Sequence, residues 1–358
     1  MMKKIGILTF QYPENRNFGA SLQSYACLNL IKKFEKNVKL INYYKTNYNC
    51  SFKEKILIKL ESKNFIEYNK KFLNLTRKIT SNENLNFLNK EFDIFVVGSD
   101  QVWRDKYLNK KTKHYFFDFV DENKKKIAYA ASFGVDFWEG DKKLTEEIKT
   151  LIKRFDAISV REESGISICK DVFGIATAVC VLDPTLMISK EDYQPILDDW
   201  QDKSHLNKKY IAHMLLDDNE KLRNESQNIA NYLKADINYI KGKYKKILWK
   251  TYFAYNGVSQ WLTYLKDAEL VITDSFHCTV FSIIFHKKFV VVANPERGTA
   301  RLETLLGKVG LRDRFFTNIE DVMKSGILDK EIDYNEVDKK LEVHRKYSME
   351  FLKEALED

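Results

Sequence analysis

Short apolar runs alternate with segments of helical periodicity along this chain of 358 residues. Apolar runs of about four to eight residues indicate buried strands, whereas apolar positions at helical spacing indicate helices. In the first half, strands are predicted at 4–10, 38–43, 92–97, 127–133, 156–160 and 178–182, with helices at 21–36, 143–154 and 163–172. In the second half, strands are predicted at 209–216, 237–241, 269–273 and 288–293, with helices near 219–234, 258–266, 276–286 and 299–309. This alternation predicts an α/β fold with parallel sheets.

The chain is too long for a single hydrophobic core, which stops growing at about 250–300 residues. We therefore predict two Rossmann-like domains, at 1–184 and 196–334, joined by a short crossover. A helix at 335–358 would close the fold by packing back toward the first domain. A Lys/Asn-rich stretch at about 51–90 is predicted to be a helical insertion, either an acceptor- or lipid-facing flap or a solvated excursion.

The composition and charge of the chain indicate which classes of ligand or macromolecule it could bind. The chain is 44% hydrophobic and carries 59 Lys+Arg against 51 Asp+Glu, a formal net charge of +8. This mild excess is compatible with anionic substrates or an anionic membrane surface, although scattered lysines also serve solubility. Because no basic run is interleaved with aromatic residues, we expect no nucleic-acid partner.

The cysteines indicate a reducing compartment, and the apolar runs indicate neither a signal peptide nor a transmembrane span. An odd number of cysteines without a CxxC pair predicts neither a disulfide framework nor a zinc site; they are Cys27, Cys50, Cys169, Cys180 and Cys278. The first apolar run is too short for a signal peptide, and none approaches the roughly 20 apolar residues of a transmembrane span. We expect a cytoplasmic protein, which could make peripheral contact with the inner face of the cell membrane.

Polar residues follow the first predicted strand, in the loop that leads into the first helix. Gly19 would allow close approach of the backbone to a ligand, and Asn17 and Ser21 lie on either side of it. Free amides at a helix N-terminus suit a phosphate or a carboxylate. The alternative is ordinary helix capping, with Ser21 as the cap.

Two further strand ends carry hydrogen-bonding side chains, at the positions where open α/β sheets bind ligands. Gly98 would let the chain turn after the third strand, where polar groups crowd together on Ser99, Asp100 and Gln101. Ser132 occupies the end of the next strand. Asp100 could bind hydroxyl groups or act as a base, or it could form an Asx-turn and helix cap.

Arg161 follows the predicted buried strand at 156–160. Its planar guanidinium matches a carboxylate or a phosphate through two parallel hydrogen bonds. An arginine in this place indicates an anion-binding role. The alternative is a local ion pair with Glu162 or Glu163.

His277 is the most informative residue of the sequence. A strand stops at Asp274 and Ser275, and His277 falls in the first turn of an almost wholly apolar helix. A histidine there can act as an acid, a base or an anion ligand near physiological pH. The alternative is a hydrogen-bonded core histidine. After the following strand, Arg297 and Arg301 offer two more cations.

Six ordered segments resemble the polysaccharide pyruvyltransferase family. They are Asn17-Phe-Gly-Ala-Ser-Leu-Gln23, Val97-Gly-Ser-Asp-Gln-Val-Trp103, Ala130-Ala-Ser-Phe-Gly134, Ile158-Ser-Val-Arg-Glu162, Leu182-Asp-Pro184 and Asp274-Ser-Phe-His277. The resemblance spans about residues 5–312. It implies a fold similar to the glycosyltransferase B architecture, with the active site in the cleft between the two halves.

The resemblance also implies a reaction. The pyruvyl group of phosphoenolpyruvate would move onto a sugar of a capsule, exopolysaccharide or cell-wall precursor, often as a ketal across two hydroxyls. The expected partners are phosphoenolpyruvate as donor substrate and a sugar acceptor that could be lipid-linked. We expect no cofactor and, because the sequence shows no metal-ligand cluster, catalysis without a metal.

The implied roles fall on the strand-end residues. His277 would be the catalytic acid, Arg161 would hold the anionic groups of the donor, and Asp100 would orient or deprotonate the acceptor hydroxyl. Many family members carry an arginine two residues before the histidine, where this sequence has Ser275. Either Arg297 or Arg301 supplies that charge, or this branch uses a different donor.

Two other functions are compatible with the sequence. A glycosyltransferase B enzyme with a nucleotide-sugar donor would share the fold, and Glu296 or Glu303 could bind the donor ribose. A binding or scaffold protein without catalysis would require Arg161 and His277 to point into separate cores.

Overall fold

The computed structural model describes residues 3–44, 51–80, 83–108, 111–202, 204, 208–247 and 250–357. Cys50 lies outside the described residues, so the expectation of a free thiol there stays a prediction. The other cysteines are buried free thiols: Cys27, Cys169, Cys180 and Cys278.

The strands of the first half are β1 (Ile5–Leu8), β2 (Val38–Leu40), β3 (Tyr43–Tyr44), β4 (Ile79–Thr80), β5 (Ile94–Val97), β6 (Lys125–Ala131), β7 (Ala157–Val160) and β8 (Val179–Cys180). A parallel sheet has the order β2–β1–β5–β6–β7–β8, while β3 pairs with β4. Every residue of β1 and β5 is buried. Strands that are covered on both faces have this continuous apolar character, so β1 and β5 could be predicted from apolar runs in the sequence.

Helices α1 (Phe18–Ile31), α2 (Phe52–Phe72), α3 (Lys142–Ile152) and α4 (Glu163–Ser167) accompany this sheet. The start of α1 corrects the prediction that Ser21 caps it. Asn17 is the N-cap, because its side chain accepts a hydrogen bond from the Ala20 amide at 3.1 Å. Ser21 lies inside the helix and donates its hydroxyl to the Asn17 carbonyl.

The second half continues the alternation. Its helices are α5 (Gln194–Leu197), α6 (Glu220–Leu233), α7 (Val258–Asp267), α8 (Phe276–Ile284), α9 (Ala300–Val309), α10 (Ile319–Lys324) and α11 (Tyr334–Glu357). Its strands are β9 (Tyr210–Met214), β10 (Asp236–Tyr239), β11 (Gly242–Ile247), β12 (Lys250–Tyr255), β13 (Leu270–Thr273), β14 (Lys288–Val292) and β15 (Phe315–Phe316). A second parallel sheet has the order β10–β9–β13–β14–β15.

The antiparallel hairpin of β11 and β12 was not predicted from the sequence. β11 is rich in lysine and β12 in aromatic residues, with few aliphatic residues in either, and neither belongs to the two parallel sheets. The hairpin therefore lacks the apolar run that marks a strand buried on both faces. The short elements β15 and α10 were missed for lack of length.

The segment at 51–90 contains the helix α2 and the short strand β4, and α2 is more than a solvated excursion. Phe65 is buried, with its ring centroid 5.1 Å from that of Phe18 and 6.2 Å from that of Tyr255. Asn69 donates its side-chain amide to the Gln11 carbonyl at 2.6 Å. The inner face of α2 thus joins the loop after β1 to the hairpin.

The two halves pack through a continuous apolar cluster formed by α1, α7 and α8. Phe18 of α1 stacks on Trp261 of α7, with ring centroids 5.1 Å apart. The long helix α11 returns to the first half, where the Ser348 hydroxyl accepts a hydrogen bond from the Leu182 amide at 3.0 Å. No helix in the described part of the chain is long and apolar enough to span a membrane.

Candidate active site

The carboxyl ends of the first sheet meet the start of α8 across the cleft between the halves. Ser99 follows β5, Arg161 follows β7, Asp183 follows β8, and His277 belongs to the first turn of α8. We call these four residues the buried charge cluster. Each is at most 7% exposed.

Asp183 is the centre of the cluster. Its Oδ2 accepts hydrogen bonds from the Ser99 hydroxyl at 2.7 Å and from Arg161 Nη1 at 2.9 Å. Its Oδ1 accepts from the backbone amide of Thr185 at 2.9 Å. Burial alone would raise the pKa of Asp183, but His277, Arg161 and Thr185 together hold it well below its usual range. Asp183 is therefore a carboxylate at neutral pH.

His277 faces this carboxylate rather than an apolar core. Its Nε2 lies 3.5 Å from Asp183 Oδ2, at the limit of a hydrogen bond but close enough for strong charge interaction. A Cβ atom on Gly19 would lie 2.1 Å from His277 Nδ1. The absence of a side chain at Gly19 is therefore what allows the N-terminus of α1 to approach the imidazole.

Arg161 is bound to Asp183, and the local ion pair with Glu162 or Glu163 that was the alternative does not occur among the described residues. Its guanidinium lies over the Phe276 ring, 4.5 Å from the ring centroid. Within the described part of the chain, Nε and Nη2 of Arg161 have no hydrogen-bond partner. A buried guanidinium with two vacant donors is suited to a bound anion.

Ser132 lies at a strand end, as predicted, but its hydroxyl donates to Glu162 Oε1 at 3.0 Å. The same oxygen accepts from the backbone amides of Phe133, at 2.7 Å, and Gly134, at 3.1 Å. Glu162 was not predicted as a site residue. Through these hydrogen bonds it stabilises the backbone conformation of the turn after β6.

Asp100 rather than Gly98 makes the turn after β5, which corrects the prediction. Asp100 has φ +90°, whereas Gly98 leaves room for Thr9 and Ile7. Asp100 Oδ1 accepts from the Gln101 amide at 2.8 Å, but its buried Oδ2 has no partner among the described residues. That oxygen is available to a substrate hydroxyl.

Gln101 serves a second buried arginine. Its side-chain oxygen accepts from Arg104 Nη1 at 3.2 Å, and Glu139 lies 3.4 Å from the same guanidinium. Arg104 also donates to the backbone carbonyl of Arg297 at 3.3 Å, which connects the two halves of the protein.

The two arginines that could replace the charge missing at Ser275 differ in their surroundings. The Arg297 side chain is 40% exposed and binds Asp217 through both Nε, at 2.8 Å, and Nη2, at 2.7 Å. Arg301 is buried; its Nη2 donates to the Arg297 carbonyl, and its Nε lacks a partner among the residues described. Burial and then repulsion from Arg161 lower the pKa of Arg301 to about 10.

The structure therefore gathers Ser99, Arg161 and His277 around Asp183, with Gly19 against the histidine. Ser275 precedes α8 without a side-chain capping bond. Sequence reasoning missed Asp183, although it lies in the Leu182-Asp-Pro184 segment. The signal that could have found it is a buried strand that ends in a carboxylate. No group of three potential metal ligands occurs among the described residues.

Comparison with protein families decides the class. The family model described as polysaccharide pyruvyl transferase matches residues 17–296. The chain belongs to the polysaccharide pyruvyl transferase family. This confirms the resemblance seen in the sequence and makes the protein a member of an enzyme family. A search of curated protein sequences found no match.

Solved structures show the fold of this pyruvyl transferase family member. A putative UDP-N-acetylglucosamine 2-epimerase from Listeria monocytogenes has a TM-score of 0.54 at 10% identity, covering 100% of this chain and 97% of that one. The UDP-GlcNAc 2-epimerase of Neisseria meningitidis, bound to UDP-GlcNAc, also has 0.54 at 9% identity, covering 99% of each chain. UGT89C1 of Arabidopsis thaliana has 0.51 at 8% identity, covering 99% and 100%. The predicted glycosyltransferase B architecture is confirmed.

Proposed function

We propose that this protein transfers the pyruvyl group of phosphoenolpyruvate to a sugar of a surface polysaccharide or cell-wall precursor, forming a ketal. The observation that carries the proposal is the pair of buried arginines, Arg161 and Arg301, with guanidinium nitrogens that lack a partner within the described residues. Asp183 compensates Arg161, and a second buried arginine close to it favours the binding of a further anion. Phosphoenolpyruvate supplies a phosphate and a carboxylate.

Arg301 is the cation that we assign in place of the arginine missing at Ser275. Arg297 already neutralises Asp217, so it has little charge left for a donor. Arg301 comes from α9 and lies close enough to Arg161 to lower its own pKa. The same local charge is thus supplied by a different element of the fold.

We assign to His277 the protonation of the methylene carbon of the donor. The Asp183 carboxylate, 3.5 Å from its Nε2, would compensate the charge of an imidazolium. Protonation forms the methyl group and an oxocarbenium-like carbon, which one sugar hydroxyl attacks. Phosphate then leaves, and a second hydroxyl closes the ketal. One hydroxyl proton balances the methyl group and the other leaves with phosphate.

Asp100 is the residue that we assign to the acceptor hydroxyl. Its Oδ2, which has no partner among the described residues, is buried at the end of β5, on the same edge of the sheet as Arg161. A carboxylate oxygen can orient a hydroxyl and take its proton as the C–O bond forms.

The scaffold alternative required Arg161 and His277 to lie in separate cores, but both face Asp183. The nucleotide-sugar alternative is decided by ligand-induced thermal stabilisation. Phosphoenolpyruvate at about 100 times its Kd should stabilise the fold by about 2.7 kcal/mol, and Arg301→Met should remove most of this effect. Arg297→Met, which leaves the buried arginines intact, is the matched control. Stabilisation by UDP but not by phosphoenolpyruvate would reject the donor.

A further inference from the structure

A large cavity opens at the carboxyl end of the second sheet. It has a volume of about 730 Å³ and lies between the ends of β9 and β10 on one side and the β11–β12 hairpin on the other. We call it the hairpin cavity. None of its lining residues belongs to the buried charge cluster, so the donor assignment leaves it without a role.

One wall of the hairpin cavity is aromatic. In the hairpin register, Tyr244 is opposite Phe253 and Gly242 is opposite Tyr255, so these three rings share one face. The ring centroids are 5.2 Å apart for Tyr244 and Phe253, and 4.8 Å apart for Phe253 and Tyr255. Tyr244 remains 71% exposed. Exposed π-faces attract the weakly positive C–H groups on the face of a pyranose ring.

The opposite wall offers hydrogen bonds for hydroxyl groups. His213 of β9 is 2% exposed, and its Nε2 has no partner among the described residues. Burial lowers the pKa of His213 to about 4, so the ring is neutral and can donate or accept one hydrogen bond. Asp218, which also lines the cavity, has a buried Oδ1 that lacks a partner within the described chain.

The charges that line the hairpin cavity are of both signs. Arg223 is paired with Asp218 at 2.7 Å, and Asp217 is already bound by Arg297. Lys241 donates to the Leu216 carbonyl at 3.1 Å. Lys241 and Lys243 thus line the cavity together with Asp217 and Asp218, and its aromatic wall favours a polyhydroxylated ring over a nucleotide diphosphate.

The hairpin cavity is connected to the reacting site. Arg16, in the loop before α1, lies 5.6 Å from the centre of the Tyr255 ring, and Gly19 of the same segment touches His277. On the other side, Arg297 binds Asp217 of the cavity wall and accepts hydrogen bonds from Arg104 and Arg301 through its carbonyl. A glycan held in the cavity would therefore extend toward the cleft.

We propose that the hairpin cavity binds the pyranose rings of the acceptor glycan, with one ring stacked on Tyr244 and Phe253 and its hydroxyls bonded to His213 and Asp218. The acceptor class thus named is a neutral hexose or N-acetylhexosamine. The assignment of this glycan as an acceptor rests on the proposed pyruvyl transfer; the binding itself does not.

Saturation-transfer NMR on the full chain tests the assignment. The probes are methyl glycosides of glucose, galactose, mannose and N-acetylglucosamine, with UDP as the competing class. Tyr244→Ser should weaken binding of the responding glycoside about tenfold. Tyr232→Ser is the matched control, because Tyr232 is 51% exposed on α6 and does not line the cavity. Since Tyr244 is exposed, its variant should fold normally.

The outcomes separate the two proposals. No glycoside binding, binding that persists in both Tyr244→Ser and His213→Gln, or UDP binding that these variants abolish would each overturn the cavity assignment. Phosphoenolpyruvate stabilisation is measured on the same variants. Glycoside binding sensitive to Tyr244 without phosphoenolpyruvate stabilisation supports the cavity and rejects the donor, whereas the reverse result supports the donor and rejects the cavity.

Discussion

The carboxyl ends of the two sheets use similar residues to form sites for different kinds of ligand. Around the buried charge cluster, Arg161 and Arg301 are sealed from solvent and keep donors that lack a partner within the described residues. Around the hairpin cavity, Arg223 and Arg297 are each paired with an aspartate, and aromatic rings are exposed instead. The first edge is suited to an anion and the second to a neutral ring.

The two buried histidines make the same contrast at the level of one residue type. His277 faces the Asp183 carboxylate across 3.5 Å and touches the N-terminus of α1. His213 stacks edge-on against Tyr239, and burial lowers its pKa to about 4. Asp218 also acts on His213, but burial and Arg223 oppose it, whereas the Asp183 carboxylate directly faces His277, so His277 is better suited to proton donation.

The largest expected effect is the change in kcat when a buried histidine is replaced. His277→Ala should lower kcat by about 10²–10⁴-fold, because it removes the proton donor. His213→Gln should instead raise the KM for the glycan with little change in kcat. Phosphate release from phosphoenolpyruvate with an accepted glycan measures both, and His286→Ala, at an exposed site just after α8, is the control. Unfolding of His277→Ala, or equal losses of kcat in both variants, would break the comparison.

The next largest difference is expected between two aspartate variants, in the free energy of unfolding that each loses. Asp183→Asn leaves Arg161 charged and buried without a counter-ion, which should cost about 3–5 kcal/mol of unfolding free energy. Asp217→Asn breaks a pair whose side chains are 40% and 49% exposed, and should cost at most about 1 kcal/mol. Urea denaturation at pH 7 measures both losses. Similar values would mean that the first pair is as solvated as the second.

The contributions of the Asp183–Arg161 and Asp217–Arg297 pairs to stability change with pH in the same direction but over different pH ranges. In each case the pKa of the carboxyl is lowered in the folded protein, so the pair stabilises the fold above the ordinary value of about 3.9 and loses its effect as the pH falls through the folded value. Hydrogen bonding to Arg297 lowers the pKa of Asp217 to about 2, so its contribution should disappear between about pH 4 and pH 2. That of Asp183 should persist to lower pH. A slope from either aspartate between pH 5 and 8 would contradict this.

Gly19→Ala should lower kcat by about 100-fold with a smaller change in stability, because a methyl group there would displace the His277 ring. The matched control is Gly257→Ala, at the N-cap of α7, where an added Cβ would meet no described atom within 4 Å. Kinetics and thermal unfolding of the two variants are compared. Full activity in Gly19→Ala would show that the approach of α1 does not position the imidazole.

The smallest effect should separate the two candidate donor arginines. Arg301→Met should raise the KM for phosphoenolpyruvate about 10–100-fold, because it removes a charge-assisted hydrogen bond. Arg297→Met should change this KM by less than about threefold, because Asp217 already neutralises that guanidinium. Initial rates over a range of phosphoenolpyruvate concentrations measure the difference. The reverse ranking would move the donor toward the hairpin cavity.

Most of the site was visible as a set of strand ends. Arg161, Ser99 and His277 stand out because polar residues after buried runs contradict the local apolar pattern. Asp183 shows the limit of this reasoning: a strand-end carboxylate before a proline is also what begins a crossover. Its partners lie 84, 22 and 94 residues away in the chain, and spacing carries no information on such pairs.

By itself, the sequence determined the alternation of strands and helices, the parallel sheets, the family and the turn that carries His277, because these depend on local periodicity and contiguous segments. Only the tertiary structure decided that Asp183 joins Ser99, Arg161 and His277, that Arg301 rather than Arg297 lacks a partner for its Nε among the described residues, and that Asn17 caps α1. It also produced the hairpin cavity. Each of these depends on which distant groups become buried together, since burial is what makes an unpaired charge or a vacant donor significant.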